Sequence, residues 1–209
     1  MANIDLYSWK TSNGRKVSIM LEECELPYNV HPINIGQDDQ FTPEFIAINP
    51  NSKIPAIVDP DGPGGKPFTL FESGAILMYL AEKTGKFMPS EMGARYETIQ
   101  WLMFQMGGIG PIFGQVHHFE RAAKVDVPYG KERYGKECRR LYSVLNGRLE
   151  GRNYIANNEV SIADFATLPW VARFDWQGVD LNDYPNVKAW YDRLMARPAL
   201  QRGMEIPAT

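Results

Sequence analysis

The sequence predicts an α/β domain in the order βαβαββα, followed by an all-α domain. Three observations predict it. Strand-like and helix-like segments alternate through residue 88. Residues 87–91, which include Pro89, then read as a linker. Beyond them the apolar spacing is helical almost throughout. A chain of 209 residues accommodates two domains of about 100 residues each, here 1–88 and 92–209.

In the first part, residues 4–7 read as a short strand. From Asn13-Gly14 onward, Val17, Met20, Leu21 and Cys24 fall on one helical stripe, with Glu22, Glu23 and Glu25 opposite. Leu26-Pro27 ends that helix, and residues 28–35 alternate as a second strand. A short helix fits residues 43–48 before Asn49-Pro50, and strands fit 54–58 and 68–71 on either side of a turn rich in Gly and Pro. Two strands joined by a helix are expected to be parallel, and the hairpin adds an antiparallel edge.

In the second part, Tyr96, Ile99, Met103 and Met106 form a stripe with Leu102 beside it. The run Gly107-Gly108-Ile109-Gly110-Pro111 predicts a kink or break. A long helix is expected over residues 129–149, closed by Gly151. Ser161 and Asp164 have the spacing of a capping box, with Val160 and Phe165 placed as a hydrophobic staple. A last helix is expected over 185–197, stopping at Pro198.

Composition excludes several classes. Apolar residues make up 44% and the net charge is −3, with no Lys/Arg run, so nothing points to nucleic acid. No leader pattern and no membrane-length apolar run is visible. Cys24 and Cys138 form neither a CxxC pair nor a metal-type spacing, and a reduced, cytoplasmic protein is expected. His117-His118 lack the i,i+4 spacing of a helical metal pair, and Gly62 to Lys66 lacks the pattern of a phosphate loop. No metal is expected.

The turn Phe71-Glu72-Ser73-Gly74 leads from a strand into an apolar helix. A helix N-terminus attracts an anion, and Ser73 can cap the helix while offering its hydroxyl to a carboxylate. Glu72 suits an ammonium group. The turn therefore offers to hold both charged groups of an α-amino acid, although an ordinary serine cap beside a solvated glutamate is the plainer reading of these residues alone.

Three sequences, Asn51-Ser52-Lys53-Ile54-Pro55-Ala56, Phe71-Glu72-Ser73-Gly74-Ala75-Ile76 and Ser161-Ile162-Ala163-Asp164, together with the element order, resemble the cytosolic glutathione S-transferases. That family pairs a thioredoxin-like N-terminal domain with an all-helical one. Thr11-Ser12-Asn13-Gly14, Gln40-Phe41-Thr42-Pro43-Glu44-Phe45, Gly114-Gln115-Val116-His117-His118-Phe119 and Glu132-Arg133-Tyr134 are most similar to its bacterial Nu class. That class comprises disulfide-bond oxidoreductases related to the yeast nitrogen regulator Ure2. Ser12 stands where a Pro is common in this group, and Trp9-Lys10 replaces the usual small residues.

The resemblance implies that Glu72 and Ser73 hold the γ-glutamyl end of glutathione. Backbone groups of Ile54 pair with its cysteinyl residue, with Pro55 cis. Lys53 and Gln40 meet the glycyl carboxylate; otherwise Lys53 is solvated and Gln40 caps the following helix. Thr11 and Asn13 are the catalytic candidates, donors that stabilise a thiolate, and otherwise form a simple turn. Arg133 contacts a second glutathione, or else is a solvated or interface charge. The activity implied is glutathione-dependent disulfide reduction without a catalytic protein cysteine, by a homodimer acting on small thiols and disulfides. Alternatives are a transferase or peroxidase acting on electrophiles or hydroperoxides, and a non-catalytic glutathione-binding regulator.

Overall fold

The computed structural model describes residues 3–208, which form two compact units. The first contains the residues through Lys86 and those from Arg197 onward, and the second runs from Phe87 to Ala196. The last helix therefore packs with the N-terminal unit rather than with the helical one, which departs from the 92–209 boundary read from the sequence.

The first unit is a four-stranded mixed sheet in the order β2-β1-β3-β4. Strand β1 (Ile4–Ser8) pairs in parallel with β2 (Tyr28–Pro32) and antiparallel with β3 (Ala56–Asp59). Strand β4 (Phe68–Phe71) pairs antiparallel with β3. Strand β2 ends three residues earlier than the alternation predicts. Ile33 still donates its N–H to the Ser8 carbonyl, at 2.9 Å, but Ile35 is 41% exposed. The apolar stripe of helix α1 (Ser12–Cys24) is buried as expected. Helix α2 (Pro43–Ile48) is capped by Thr42, whose hydroxyl accepts from Phe45 N–H at 3.4 Å. Gln40 is thus not the cap of that helix.

Helix α3 (Ser73–Thr84) packs against α1. In the second unit, helix α4 (Met92–Phe104) runs into a π-helical segment over residues 105–109 and then helix α5 (Gly110–His117). The predicted break is therefore a bulge within continuous helical backbone. Gly110 and Gly114, on α5, lie beside the Trp170 indole, where a Cβ would be 3.6 and 3.4 Å from it. Leu102 and Ile109 are buried, whereas Met92, Tyr96 and Met103 are 73%, 62% and 49% exposed. The stripe expected on α4 thus divides, and part of it faces out.

Helix α6 (Pro128–Arg148) packs against α5, and helix α7 (Ile162–Val171) is buried along its whole length. The capping box at Ser161 and Asp164 is present. Asp164 is fully buried. It accepts from the N–H groups of Ile155 and Ser161, each at 2.9 Å, from Ser161 Oγ at 3.0 Å and from Trp190 Nε1 at 2.8 Å. Four donors around one carboxylate make it an internal tie between segments, not an acid open to substrate. The residues read as a linker are anchored as well: Phe87 accepts from Ile162 N–H and its ring meets Phe165 edge-on.

Helix α8 (Pro185–Met195) stops before Pro198, but a further helix, α9 (Pro198–Met204), follows it. Proline ends one helix and begins the next because its missing N–H is unneeded in a first turn. α9 crosses α1 at very short range, since a Cβ on Gly203 would come within 2.5 Å of Ile19 Cα. Ser18 Oγ donates to the Gly203 carbonyl at 2.6 Å. Arg197 pairs with Glu23 and Arg202 with Glu22, so these acids of α1 are partnered.

Candidate functional site

The candidate residues of the first unit lie where strands end and helices begin. Thr11 is the N-cap of α1: its Oγ1 accepts from Gly14 N–H at 3.1 Å, leaving the hydroxyl hydrogen available to donate. Asn13 is half-buried in the first turn. The loop before it is tight, with Thr11 N–H donating to the Trp9 carbonyl at 2.6 Å. Gly14 is required here. A Cβ would come within 2.3 Å of the Trp9 carbonyl and 2.4 Å of Ser8 Oγ. The turn reading of this segment holds for Thr11, and Asn13 lies in the first turn, at the positive end of α1.

Before β3, Asn49 donates from Nδ2 to the Lys53 carbonyl at 2.6 Å and accepts from Asn51 N–H at 3.0 Å. This buried amide shapes residues 50–53. Sequence reasoning missed it, because Asn49-Pro50 reads only as a helix stop. The Ile54–Pro55 bond is cis. Ile54 precedes the strand proper, half-buried, and Lys53 is exposed. Gln40 is 9% exposed, and its buried Oε1 has no hydrogen-bond partner, while Nε2 donates to Asp38 at 3.5 Å. A buried amide oxygen left so is a polar atom prepared for a further partner.

Glu72, not Ser73, occupies the cap position of α3. It adopts φ 70°, ψ 111° and is exposed. A non-glycine residue held there carries roughly 1–3 kcal/mol of backbone strain, a cost found most often at ligand sites. Ser73 becomes the first helical residue and is 4% exposed. Its Oγ accepts from Lys16 Nζ at 3.3 Å. Lys16, on α1, is 1% exposed, and burial pulls its pKa down to about 7 while the Glu72 charge opposes that pull. Nothing in the local sequence marks Lys16, since the residue it meets lies on another helix.

Both thiols are buried. Cys24 is 5% exposed, with Sγ 3.5 Å from Thr84 Oγ1, and burial raises its pKa despite that contact. Burial pushes the Cys138 thiol up to about 12. Arg133 belongs to the second unit, exposed on α6. Among the described residues no group of three or more His, Cys, Asp or Glu could hold a metal, and no helix is long and apolar enough to cross a membrane.

Residues 12–83 match the glutathione S-transferase N-terminal domain and residues 128–198 the C-terminal domain. The chain belongs to the glutathione S-transferase family. Among relatives of this transferase, the disulfide-bond oxidoreductase YfcG of Escherichia coli is 52% identical over 94% of this chain and 92% of its own. A glutathione transferase from Burkholderia graminis, solved with two glutathione molecules per subunit, superimposes with a TM-score of 0.93. It is 50% identical and the match covers 98% of this chain and 88% of that one. A Pseudomonas putida glutathione transferase, solved with one glutathione disulfide per subunit, gives 0.93 at 48% identity, over 98% and 92% of the two chains.

Proposed function

We propose that this transferase is a glutathione-dependent disulfide-bond oxidoreductase of the Nu class, working in the cytoplasm as a homodimer. The observation that carries this reading is the pairing of two buried cysteines, whose thiols burial holds in the protonated form, with a helix N-terminus flanked by Thr11 and Asn13. Thiol–disulfide exchange requires a thiolate. Burial raises the pKa of both protein thiols, and bound glutathione supplies the thiolate. The relatives solved with two glutathiones, or with the disulfide, support the same arrangement.

The γ-glutamyl end sits at Glu72 and Ser73, the ammonium on the carboxylate and the carboxylate at the start of α3. Ile54 pairs with the cysteinyl backbone, and Lys53 and Gln40 take the glycyl carboxylate. The thiol then meets the Thr11 hydroxyl, the Asn13 amide and the α1 dipole, each of which favours the thiolate. That thiolate attacks one sulfur of the substrate disulfide. The S–S bond breaks, and the departing sulfur leaves as a thiolate that takes up a proton. A second glutathione thiolate attacks the glutathione sulfur of the mixed disulfide and releases the second substrate thiol. Two glutathiones are oxidised to one disulfide as one substrate disulfide is reduced to two thiols. Arg133 is assigned to a carboxylate of the second glutathione. The outward stripe of Met92, Tyr96 and Met103 supports the homodimer, since such a patch on a soluble domain marks an interaction surface.

Glu72→Ala and Ser73→Ala test the site. Each removes a hydrogen bond to a charged group, worth about 1.5–3 kcal/mol, so glutathione affinity by calorimetry should fall roughly tenfold to over a hundredfold. Unchanged affinity in both variants would misplace the site.

A further inference from the structure

Lys16 is a buried charged group that the reaction above does not use. It is 1% exposed, and its Nζ donates to Ser73 Oγ at 3.3 Å. A lysine so enclosed loses the hydration of its ammonium form, and the usual outcomes are a matched counter-charge or a neutral amine. Glu72 faces it from the start of α3. Arg15, next in sequence, is coupled to Glu205, and Arg197 and Arg202 of α9 pair with Glu23 and Glu22. The Glu72 carboxylate opposes the burial, and Lys16 stands close to neutral pH, at about 7.

We propose that Lys16 is a positioning residue of the γ-glutamyl subsite, which takes up a proton as a ligand carboxylate settles at Ser73. The inference rests on the subsite reading at Glu72 and Ser73. Ser73 Oγ touches Nζ, so a carboxylate accepting from Ser73 lies one hydrogen bond away from the lysine. In a nearly water-free setting a new negative charge at that range favours the ammonium form strongly. The ligand's own ammonium, on Glu72, acts in the opposite direction. It is the more distant influence, because Glu72 is exposed and its side chain is in part screened by water. Lys16 thus holds the Ser73 hydroxyl in place in the empty site and supplies a counter-charge in the filled one.

The arithmetic follows from the pKa. At pH 8 about 10% of such a lysine is protonated in the free protein, and at pH 6 about 90%. If binding completes the protonation, uptake approaches ~0.9 proton per ligand at pH 8 and falls to ~0.1 at pH 6. A glutathione thiol that ionises on binding would release a proton and mask this, so the probe is S-hexylglutathione, which has no thiol.

The experiment is titration calorimetry of S-hexylglutathione at pH 6, 7 and 8, in buffers of low and high ionisation enthalpy such as phosphate and Tris. The expected result is a buffer-dependent heat near zero at pH 6 that rises to at least half a proton taken up at pH 8. In Lys16→Met that rise should vanish, with affinity at pH 6 reduced about tenfold. A merely structural role would weaken binding without changing proton stoichiometry. Wild-type binding with no proton uptake at pH 8 overturns the inference and leaves the subsite reading standing, as does a full uptake retained in Lys16→Met. Absence of wild-type binding overturns both. The wild-type pH series decides the matter by itself should Lys16→Met not fold.

Discussion

Removing both cysteines, in Cys24→Ser/Cys138→Ala, should leave disulfide reduction largely intact. With its pKa near 12, Cys138 at pH 7.5 is thiolate in only ~3 of 100,000 molecules, whereas an ordinary thiol with a pKa of about 8.5 is ~10% thiolate. The protein sulfur is thus disfavoured about 3,000-fold in population before its burial blocks access. Cys24 is also raised by burial and is 5% exposed. Serine at 24 can keep the contact with Thr84 Oγ1, and alanine at 138 avoids burying a new hydroxyl among apolar neighbours. Circular dichroism and glutathione calorimetry establish that the variant is folded and binds. Glutathione-coupled reduction of hydroxyethyl disulfide then gives kcat and KM per folded molecule. We expect at least half the wild-type kcat. Asn13→Ala should behave oppositely. Loss of one hydrogen bond to the thiolate is worth about 1.5–3 kcal/mol, or tenfold to over a hundredfold, chiefly in kcat. A folded, glutathione-binding cysteine-free variant that is inactive, beside a normal Asn13→Ala, would refute the reasoning.

Three further outcomes are expected. Asp164→Ala strands four buried donors and should lower stability by about 3–5 kcal/mol in denaturant titration, with kcat per folded molecule unchanged; a loss under ~1 kcal/mol would contradict the internal-tie assignment. His117 is held down to about 4, first by burial and then by Arg173 and Arg121. Gln177 also opposes its protonation. Gln177 Oε1 accepts from Tyr142 and Nε2 donates to the Trp170 carbonyl, so it is that same Nε2 which must also donate to His117 Nε2, at 3.1 Å. The native state therefore binds fewer protons at His117 than the unfolded state between pH 6.5 and 4. Stability should fall as pH drops through that window, and His117→Gln should flatten the fall in melting temperature. Sedimentation at micromolar protein should give a dimer for the wild type and a monomer for Tyr96→Lys/Met103→Lys, because charges placed within an apolar interface of roughly 2,000 Å² are costly; a wild-type monomer would remove the dimer from the proposal.

The sequence by itself determined what depends on near neighbours in the chain. Strand and helix succession follows from the period of apolar residues, and the Ser161–Asp164 box is a hydrogen-bond pattern closed within three residues. The turn at Glu72 and Ser73 was legible because a strand meets a helix there. Tertiary structure decided whatever depends on distant residues. Lys16 has no role legible in the sequence; α3 brings Ser73, 57 positions away, onto its side-chain nitrogen. α9 looked like a tail beyond Pro198, yet its Gly203 carbonyl accepts from Ser18 across 185 positions. The α4 stripe carried the right spacing for burial, but spacing states only that residues share a face. Which face meets the core depends on what packs there: the α4 face with Leu102 turns inward, and Tyr96 and Met103 turn out. Local hydrogen bonds and periodicity are encoded over a few residues, whereas burial and charge environment belong to the assembled fold, and the acid–base character of Lys16, Cys138 and His117 arises only there.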